Sequence, residues 1–406
     1  MASTPSAIGI RTLEQLRADL PFTKDVGYFQ TGTYGPTTNS VIQVVADAMR
    51  FEAAHGSATS TSRDAMRTAE EAARGALAKL LNVKLQELAI TTNTSRAMQL
   101  AIRSINWTAG DELIVSSAEH VSTTGLCWEL ERRRGVKVSI VTVDGGNAAF
   151  LEGLKSAISP RTRMVCVSEI ASHDGRRLPI AATCEISHER GVPVMVDGAQ
   201  AVGQFPVDVR AQGCDFYVGS GHKWLLGPMG TGFIFVASDH LEDFRPDYIP
   251  DRHPWAIPGS PAPEPTARAR SEIGTYNHAL VIGLGAAIDI ALAIGLQTIE
   301  NHSLRLSYRL RQALLQLPEI RILTPLEPGR SAGITSFMIR GYTRADLERL
   351  TEKLWKQERI VVKAQWLTAP PRTELVAARV SVAGFNTEDE IDRLVAGLGK
   401  HMRSRA

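Results

Sequence analysis

Cysteine is scarce in this sequence, and no two cysteines lie close together. The four that occur, Cys127, Cys166, Cys184 and Cys214, form no Cys-x-x-Cys pair, and no histidines cluster at metal-ligand spacing. Cys166 and Cys214 lie in apolar, strand-like runs, where a cysteine usually serves as a small buried hydrophobic residue. We therefore expect neither a disulfide nor a metal site.

An excess of charge of one sign is also absent. The 45 basic and 43 acidic side chains give a formal charge of +2, so we expect no nucleic-acid or membrane partner. Residues 1–10 lack the basic region and apolar core of a secretory signal. The most apolar stretch, 280–296, contains Asp289 and is predicted to be a buried core helix rather than a membrane span. We expect a soluble, cytoplasmic protein.

Short apolar runs alternate with helical patterns through the first half of the chain. Strands are predicted at 87–91, 111–116, 136–143, 163–168, 192–196 and 214–218. This alternation favours right-handed βαβ units, and hence an α/β fold with a mainly parallel sheet. Further strands at 320–323, 334–339, 360–363 and 378–382, with a helix at 344–357, predict a smaller α+β unit.

The segment 192–232 brings reactive groups to the ends of two neighbouring predicted strands. Asp197-Gly198-Ala199-Gln200 follows the first strand, and Ser220-Gly221-His222-Lys223-Trp224 follows the second. A lysine can hold the aldehyde of pyridoxal 5'-phosphate as a Schiff base, and a nearby carboxylate can keep the pyridine nitrogen protonated. Alone, the lysine would be interpreted as a surface residue and the aspartate as a turn residue. Their joint position favours the cofactor.

These two segments resemble the class V aminotransferase family of fold-type I pyridoxal phosphate enzymes. The family includes cysteine desulfurases, cysteine/cystine carbon–sulfur lyases and isopenicillin N epimerase-like proteins. The resemblance implies a seven-stranded, mainly parallel sheet with helices on both faces and a smaller α+β C-terminal domain. It implies a large cofactor-binding domain at 22–270, a small domain made of 1–21 and 285–406, and a connecting region at 271–284.

The resemblance also implies roles for the residues around the cofactor. Lys223 would form the Schiff base, Asp197 would pair with the pyridine nitrogen, and Gln200 would bond the ring oxygen. Ser220 and His222 would hold the phosphate. His120, in the pair Glu119-His120 after a predicted strand, would stack on the ring and exchange protons near it.

Two further segments relate to the cofactor phosphate. Thr92-Asn93-Thr94-Ser95 joins a predicted strand to a helix, where free N–H groups and the helix dipole favour an anion, although an ordinary helix cap has the same pattern. The resemblance assigns the phosphate contact here to Thr94 and Ser95. Glu272-Ile273-Gly274-Thr275 resembles a family motif whose threonine reaches the phosphate in the neighbouring subunit. A homodimer with shared active sites is thereby implied.

The substrate side of the site is predicted from several separate segments. Arg379, in an Arg-x-Ser pattern, resembles the arginine that binds the α-carboxylate of the amino-acid substrate, and its planar fork suits a two-point grip. The remaining candidate substrate contacts are Thr33, Tyr34, Ser172, His173 and Trp366. Relatives commonly carry an asparagine near Ser172 and His173. The sequence around Trp366 is equally compatible with a buried core residue and with a substrate contact.

Seven prolines between residues 245 and 270 interrupt regular structure. This pattern is compatible with a disordered connector, but the aromatic residues Tyr248 and Trp255 favour an ordered flap over the site entrance.

The absence of one cysteine bears on the reaction. Cysteine desulfurases usually carry a mobile cysteine on a loop before the carboxylate-binding arginine, and the corresponding segment 362–372, expected as a loop, contains none. This absence argues against persulfide transfer by the usual route. Together with Asp197 and His120, the cysteine-free segment resembles the cysteine/cystine lyase branch of the family, and this resemblance implies a carbon–sulfur lyase that acts by β-elimination on cysteine, cystine or an S-substituted cysteine. The alternatives are an epimerase or decarboxylating deaminase of a specialised-metabolite pathway, and a non-catalytic cofactor-binding regulatory protein.

Overall fold

The computed structural model describes residues 9–245, 265–369 and 373–403. The expected flap at 246–264, with Tyr248 and Trp255, lies outside the described residues. The strands are β1 Gly27–Tyr28, β2 Leu88–Thr91, β3 Glu112–Ser116, β4 Lys137–Val141, β5 Thr162–Ser168, β6 Val194–Asp197, β7 Phe216–Ser220, β8 Gly232–Val236, β9 Ile320–Ile322, β10 Ile334–Ile339, β11 Ile360–Val361, β12 Lys363–Ala369 and β13 Thr373–Ser381. The α-helices are α1 Leu13–Ala18, α2 Asn39–His55, α3 Ser60–Leu81, α4 Thr94–Arg103, α5 Val121–Arg134, α6 Gly146–Ala157, α7 Ile180–His188, α8 Val209–Gln212, α9 Ala267–Ser271, α10 His278–Ile294, α11 Leu296–Leu314, α12 Arg344–Glu358 and α13 Glu388–Arg403.

A seven-stranded sheet in the order β2-β8-β7-β6-β5-β3-β4 confirms the predicted mainly parallel architecture. Every strand in it runs the same way except β8, which is antiparallel to both its neighbours. β6 and β7 are adjacent, with Asp197 paired to Val218. Because parallel strands end at the same edge, the residues that follow β6 and β7 meet there.

Helices cover both faces of this sheet, as predicted. Along β6, Val194 and Val196 belong to one apolar cluster, together with residues of α3, α7 and α10. Met195, which points to the other face, belongs to a second cluster with residues of α4 and α5. A strand that is buried on both faces needs a continuous apolar run, which is what the sequence shows here. Cys166 and Cys214 are also buried, which confirms their predicted role.

The second sheet is antiparallel, in the order β12-β13-β10-β9. Helices α11, α12 and α13 supply Leu306, Leu350 and Leu394 to one apolar cluster with its strands, and this confirms the smaller α+β unit. β1, near the N-terminus, pairs in parallel with β11 of the C-terminal region. The domain boundaries named above stay a prediction.

One expectation about the second sheet is wrong. Most of the segment 362–372 is strand rather than loop, because β12 pairs with β13 from Lys363 opposite Arg379 to Ala369 opposite Thr373. The predicted strand at 360–363 is accordingly divided between β11 and β12, and β13 begins at Thr373 rather than at residue 378. Pairing with a neighbouring strand, which no local pattern reveals, determines this structure.

The apolar stretch at 280–296 forms α10, and most of its side chains are buried, which confirms the predicted core helix. In the part of the chain that the structure describes, no single helix is long and apolar enough to span a membrane. By length and composition α10 and α11 pass that test as a pair, but they are bent by 76° at their junction.

Candidate active site

Asp197 and Lys223 lie at the shared edge of β6 and β7. Asp197 is 7% exposed, and its Oδ1 accepts a hydrogen bond from the Ala199 N–H at 2.8 Å. Burial raises the pKa of Asp197, and the charge of Lys223 opposes that rise. Burial lowers the pKa of Lys223, the charge of Asp197 opposes this fall, and the charge of Arg379 adds to it. A lysine with a lowered pKa is more often neutral, and hence a better nucleophile and base.

His120 caps α5 and is held as a neutral imidazole. Its Nδ1 accepts a hydrogen bond from the Ser122 N–H at 3.2 Å, so this bond assigns the ring proton to Nε2. Burial lowers the pKa of His120 to about 4, and the positive charges of Lys223, Lys363 and Arg379 contribute to that fall. At neutral pH the ring therefore carries no charge to repel the neighbouring cations.

Glu119 is a half-buried acid to which the sequence analysis gave no role. It accepts hydrogen bonds from Ser116 Oγ at 2.5 Å and from the N–H and Oγ of Ser168, both at 2.8 Å. Burial raises the pKa of Glu119 to about 7, and the nearby charge of Asp197 contributes to the rise. Its position directly after an apolar strand was the available sequence signal.

Replacing Glu119 with glutamine should change how stability depends on pH. The unfolded chain releases this proton near pH 4.5 and the folded chain near pH 7, so between these values the folded state binds more protons and stability falls as pH rises. Between these two pH values, this one group lowers the free energy of unfolding by about 3 kcal/mol. Urea unfolding of the cofactor-free protein at several pH values measures the free energy of unfolding. We expect it to vary less with pH in Glu119→Gln than in the wild type, whereas the exposed control Glu152→Gln should match the wild type. The same pH dependence in all three proteins would contradict the raised pKa of Glu119.

Among the buried polar atoms that have no hydrogen-bond partner in the described part of the chain, three lie on neighbouring segments. They are Thr94 Oγ1, Ser220 Oγ and His222 Nδ1. Ser220 pairs with Gly232 across β7 and β8, and a Cβ at Gly232 would lie 2.7 Å from the backbone of Asn93, just before α4. These segments therefore share one corner of the sheet.

This corner fits the phosphate of pyridoxal phosphate. Asn93 caps α4 by accepting the Arg96 N–H at 2.9 Å, which leaves the first N–H groups of the helix, at Thr94 and Ser95, outside its internal ladder. Thr94 is buried and Ser95 is exposed. A helix N-terminus beside two unpartnered hydroxyls and one unpartnered imidazole nitrogen is a suitable anion site.

Removing one of the unpartnered hydroxyls should weaken cofactor binding. We expect Ser220→Ala and the isosteric Thr94→Val each to raise the Kd for pyridoxal phosphate about 10-fold, the effect of one lost hydrogen bond to a charged group. Absorbance titration of the cofactor-free protein measures this Kd. Ser156→Ala, an exposed change on α6, is the control and should leave the Kd unaltered. An unchanged Kd in both site variants would show that the cofactor phosphate does not bind at this corner.

Gln200 is buried and held between two segments. Its Nε2 donates to the Gly32 carbonyl at 2.8 Å, and its Oε1 accepts from Trp224 Nε1 at 2.8 Å. The same segment as Gly32 packs closely on the lysine, since a Cβ at Gly35 would lie 1.9 Å from the carbonyl oxygen of Lys223. A glycine is required at this position. One amide N–H of Gln200 is left for a further acceptor.

Arg379 lies on β13 and is 2% exposed. Its Nη1 donates to the Ser172 carbonyl at 2.8 Å, and its Nη2 donates to Thr33 Oγ1 at 2.5 Å. Its Nε is buried without a partner in the described residues. Burial lowers the pKa of Arg379 to about 10, so it remains cationic at neutral pH. The structure thus brings three predicted substrate contacts together.

Tyr34 and His173 border this group. Tyr34 is 52% exposed, and its ring lies 6.2 Å from that of His222. The carbonyl of His173 accepts hydrogen bonds from Ser336 Oγ at 2.5 Å and Gln365 Nε2 at 2.6 Å. The backbone of the Ser172–His173 segment therefore rests on the four-stranded sheet.

Two predicted residues are not brought to this group. Trp366 lies on the face of β12 opposite to Gln365, because successive strand residues point to opposite faces, and its ring packs 3.6 Å from the Arg344 guanidinium. Thr275 is exposed, and no hydrogen bond among the described residues joins it to the other predicted site residues. Its neighbour Glu272 is anchored by an ion pair to Arg74 at 2.6 Å.

Lys363 is a second lysine of the site that the sequence analysis missed. It lies directly opposite Arg379 in the pairing of β12 with β13. Burial, together with the charges of Arg379 and Lys223, lowers the pKa of Lys363 to about 8. Its place at the end of an apolar run, Ile360 to Val362, was the available signal.

With the site described, comparisons with known proteins identify the family. A profile of the family described as "Aminotransferase class-V" matches residues 31–394. The chain belongs to the class V aminotransferase family, and it is a pyridoxal-phosphate-dependent enzyme of that family.

The proteins to which this chain is similar have different activities. The chain is 31% identical over 413 residues to a cysteine desulfurase of Cronobacter sakazakii, covering 95% of this chain and 97% of that protein. It is 32% identical over 341 residues to isopenicillin N epimerase of Streptomyces clavuligerus, covering 80% and 83%. A solved complex of a cystine C–S lyase with its reaction product cysteine persulfide has a TM-score of 0.84 at 24% identity, covering 93% and 98%, and this shows a shared fold.

Proposed function

We propose that this enzyme is a carbon–sulfur lyase that removes the β-substituent of cysteine, cystine or an S-substituted cysteine. The observation that carries the proposal is a buried site with Lys223, Asp197 and Arg379 but no available cysteine thiol. Lys223, Asp197 and Arg379 are compatible with many reactions of amino acids on pyridoxal phosphate. The missing thiol bears on which reaction follows.

Each side chain has a definite task in this proposal. Pyridoxal phosphate, when bound, supplies an electron sink. Arg379 binds the substrate α-carboxylate through its unpartnered Nε, and its existing bonds to Thr33 and Ser172 fix the guanidinium. Lys223, with its lowered pKa, removes the α-proton. Asp197 would keep the pyridine nitrogen of the bound cofactor protonated, and the neutral imidazole of His120 would contact its ring.

The cysteines argue against persulfide transfer. All four are buried. Burial raises the pKa of Cys127 to about 12 and the pKa values of Cys166 and Cys214 well above the usual value, so their thiolates are disfavoured. The segment 362–372 contains no cysteine, and it is mostly strand β12. In the proposed reaction the sulfur therefore leaves with the product as a thiol or a persulfide.

We further propose that the active unit is a homodimer in which Thr275 contacts the phosphate bound in the neighbouring subunit. Support comes from the exposure of Thr275 and from the rigid anchoring of its segment through the buried Glu272–Arg74 ion pair. Light scattering tests the dimer. A monomeric active holoenzyme would exclude shared sites.

Product analysis in heavy water tests the reaction. Purified holoenzyme is incubated with cysteine, cystine and several S-substituted cysteines, and the products are identified by mass spectrometry. Pyruvate with a released thiol or persulfide supports the lyase. Substrate that is unchanged except for deuterium at the α-carbon would indicate an epimerase. Loss of carbon dioxide would indicate a decarboxylating deaminase. Either result would overturn the proposal.

A further inference from the structure

Lys363 is a cation without an anionic partner in the proposed substrate pocket. It faces Arg379 across β12 and β13, and side chains of directly opposite residues lie on one face with Cβ atoms about 5 Å apart. Lys363 is half-buried, and no carboxylate forms an ion pair with it among the residues that the structure describes. The charged groups that act on it, Arg379 and Lys223, are both cations.

The anions of the site are already engaged. Asp197 interacts with Lys223 and with the Ala199 N–H. Glu119 is surrounded by the hydroxyl and N–H donors of Ser116 and Ser168.

The cofactor phosphate has its own proposed donors in Thr94, Ser220 and His222, on a different corner of the site. A single substrate α-carboxylate would compensate Arg379 and leave Lys363 uncompensated. A half-buried ammonium between like charges is unfavourable unless an anion joins it.

The side chains around Lys363 connect this part of β12 to the proposed substrate pocket. On the same face of β12, Gln365 is fixed by its bonds to the His173 carbonyl and to Ser336 Oγ at 3.1 Å. The charges of Lys223, Lys363 and Arg379 all lower the pKa of His120, so Lys363 acts on the same group of side chains as the other two cations.

We propose that Lys363 binds a second anionic group, a carboxylate carried by the sulfur substituent, so that the enzyme selects S-substituted cysteines with an acidic substituent. This inference rests on the proposed lyase activity for the identity of the departing group. The second-anion site itself depends on the pairing of Lys363 with Arg379 and on the absence of an acidic partner.

A matched pair of substrates tests the inference. S-carboxymethyl-L-cysteine and S-carbamoylmethyl-L-cysteine differ only in that an amide replaces the second carboxylate. With wild-type holoenzyme we expect kcat/KM for the acid to exceed that for the amide about 10-fold or more, the value of one charge-assisted contact. Lys363→Met should reduce this ratio to about one. Lys363→Arg should retain a preference for the acid, and circular dichroism checks the fold of both variants.

Two results would overturn the inference. The first is an equal loss of kcat/KM on both substrates in Lys363→Met, which would mean that Lys363 holds the α-carboxylate together with Arg379. The second is a wild-type enzyme without preference for the acid.

Calorimetry separates this inference from the lyase proposal. Adipate and its monoamide have the same number of atoms between their terminal groups as S-carboxymethylcysteine has between its carboxylates. Tighter binding of adipate to the wild-type holoenzyme, lost in Lys363→Met, supports the second-anion site even if neither cysteine derivative yields pyruvate. Equal affinities for adipate and its monoamide would show that there is no second-anion site, whichever reaction the enzyme performs.

Discussion

Lys223→Ala should lower kcat/KM for pyruvate formation by about 10⁴-fold, because one side chain is proposed both to bind the cofactor covalently and to remove the α-proton. We expect no other lysine to replace it, since Lys363 lies on β12 of the four-stranded sheet and is paired with Arg379. Steady-state assays with cystine measure the loss. The holoenzyme spectrum should lose the band of the lysine-bound cofactor at the same time.

A change of the same kind on the surface provides the control. Lys155, exposed on α6, can be replaced with alanine, and we expect wild-type turnover and spectrum. Turnover of Lys223→Ala within 10-fold of wild type would mean that another group performs the proton transfer, and the central assignment would be lost.

Asp197→Asn should lower kcat/KM by about 10³-fold, because the amide cannot hold a proton on the pyridine nitrogen by charge, and the cofactor then stabilises negative charge poorly. The substitution keeps the size of the side chain and the acceptor for the Ala199 N–H, so the fold should be maintained. Asp64→Asn on α3, with the carboxylate 65% exposed, is the control. A loss of less than threefold in Asp197→Asn would show that Asp197 does not act on the ring.

The sequence was sufficient to predict that Asp197 and the segment from Ser220 to Lys223 follow neighbouring strands of one sheet. Apolar runs that end in Asp197 and just before Ser220 predict two buried parallel strands, and parallel strands deliver their following residues to the same edge. This topology needs no knowledge of long-range register. Thr94 could also be placed, because a helix start after a strand is visible locally.

The positions of Lys363 and Trp366 could not be predicted from local patterns. Whether Lys363 or Trp366 faces the pocket depends on the register of β12 against β13, and a shift by one residue exchanges the two faces. The carboxylate of Glu119 accepts hydrogen bonds from Ser168, which is 49 residues away in sequence. Such contacts are determined by tertiary packing, so a single sequence does not reveal them.

The two sheets divide the proposed work between them. Asp197, Ser220 and Lys223 are positioned by the seven-stranded sheet, whereas Arg379 and Lys363 belong to the four-stranded sheet. Substitutions on β12 can therefore alter which amino acid is accepted while the chemistry of the cofactor is conserved. This separation gives a physical route for divergence within one family: the reactive centre is inherited intact, and the opposing sheet supplies the variation.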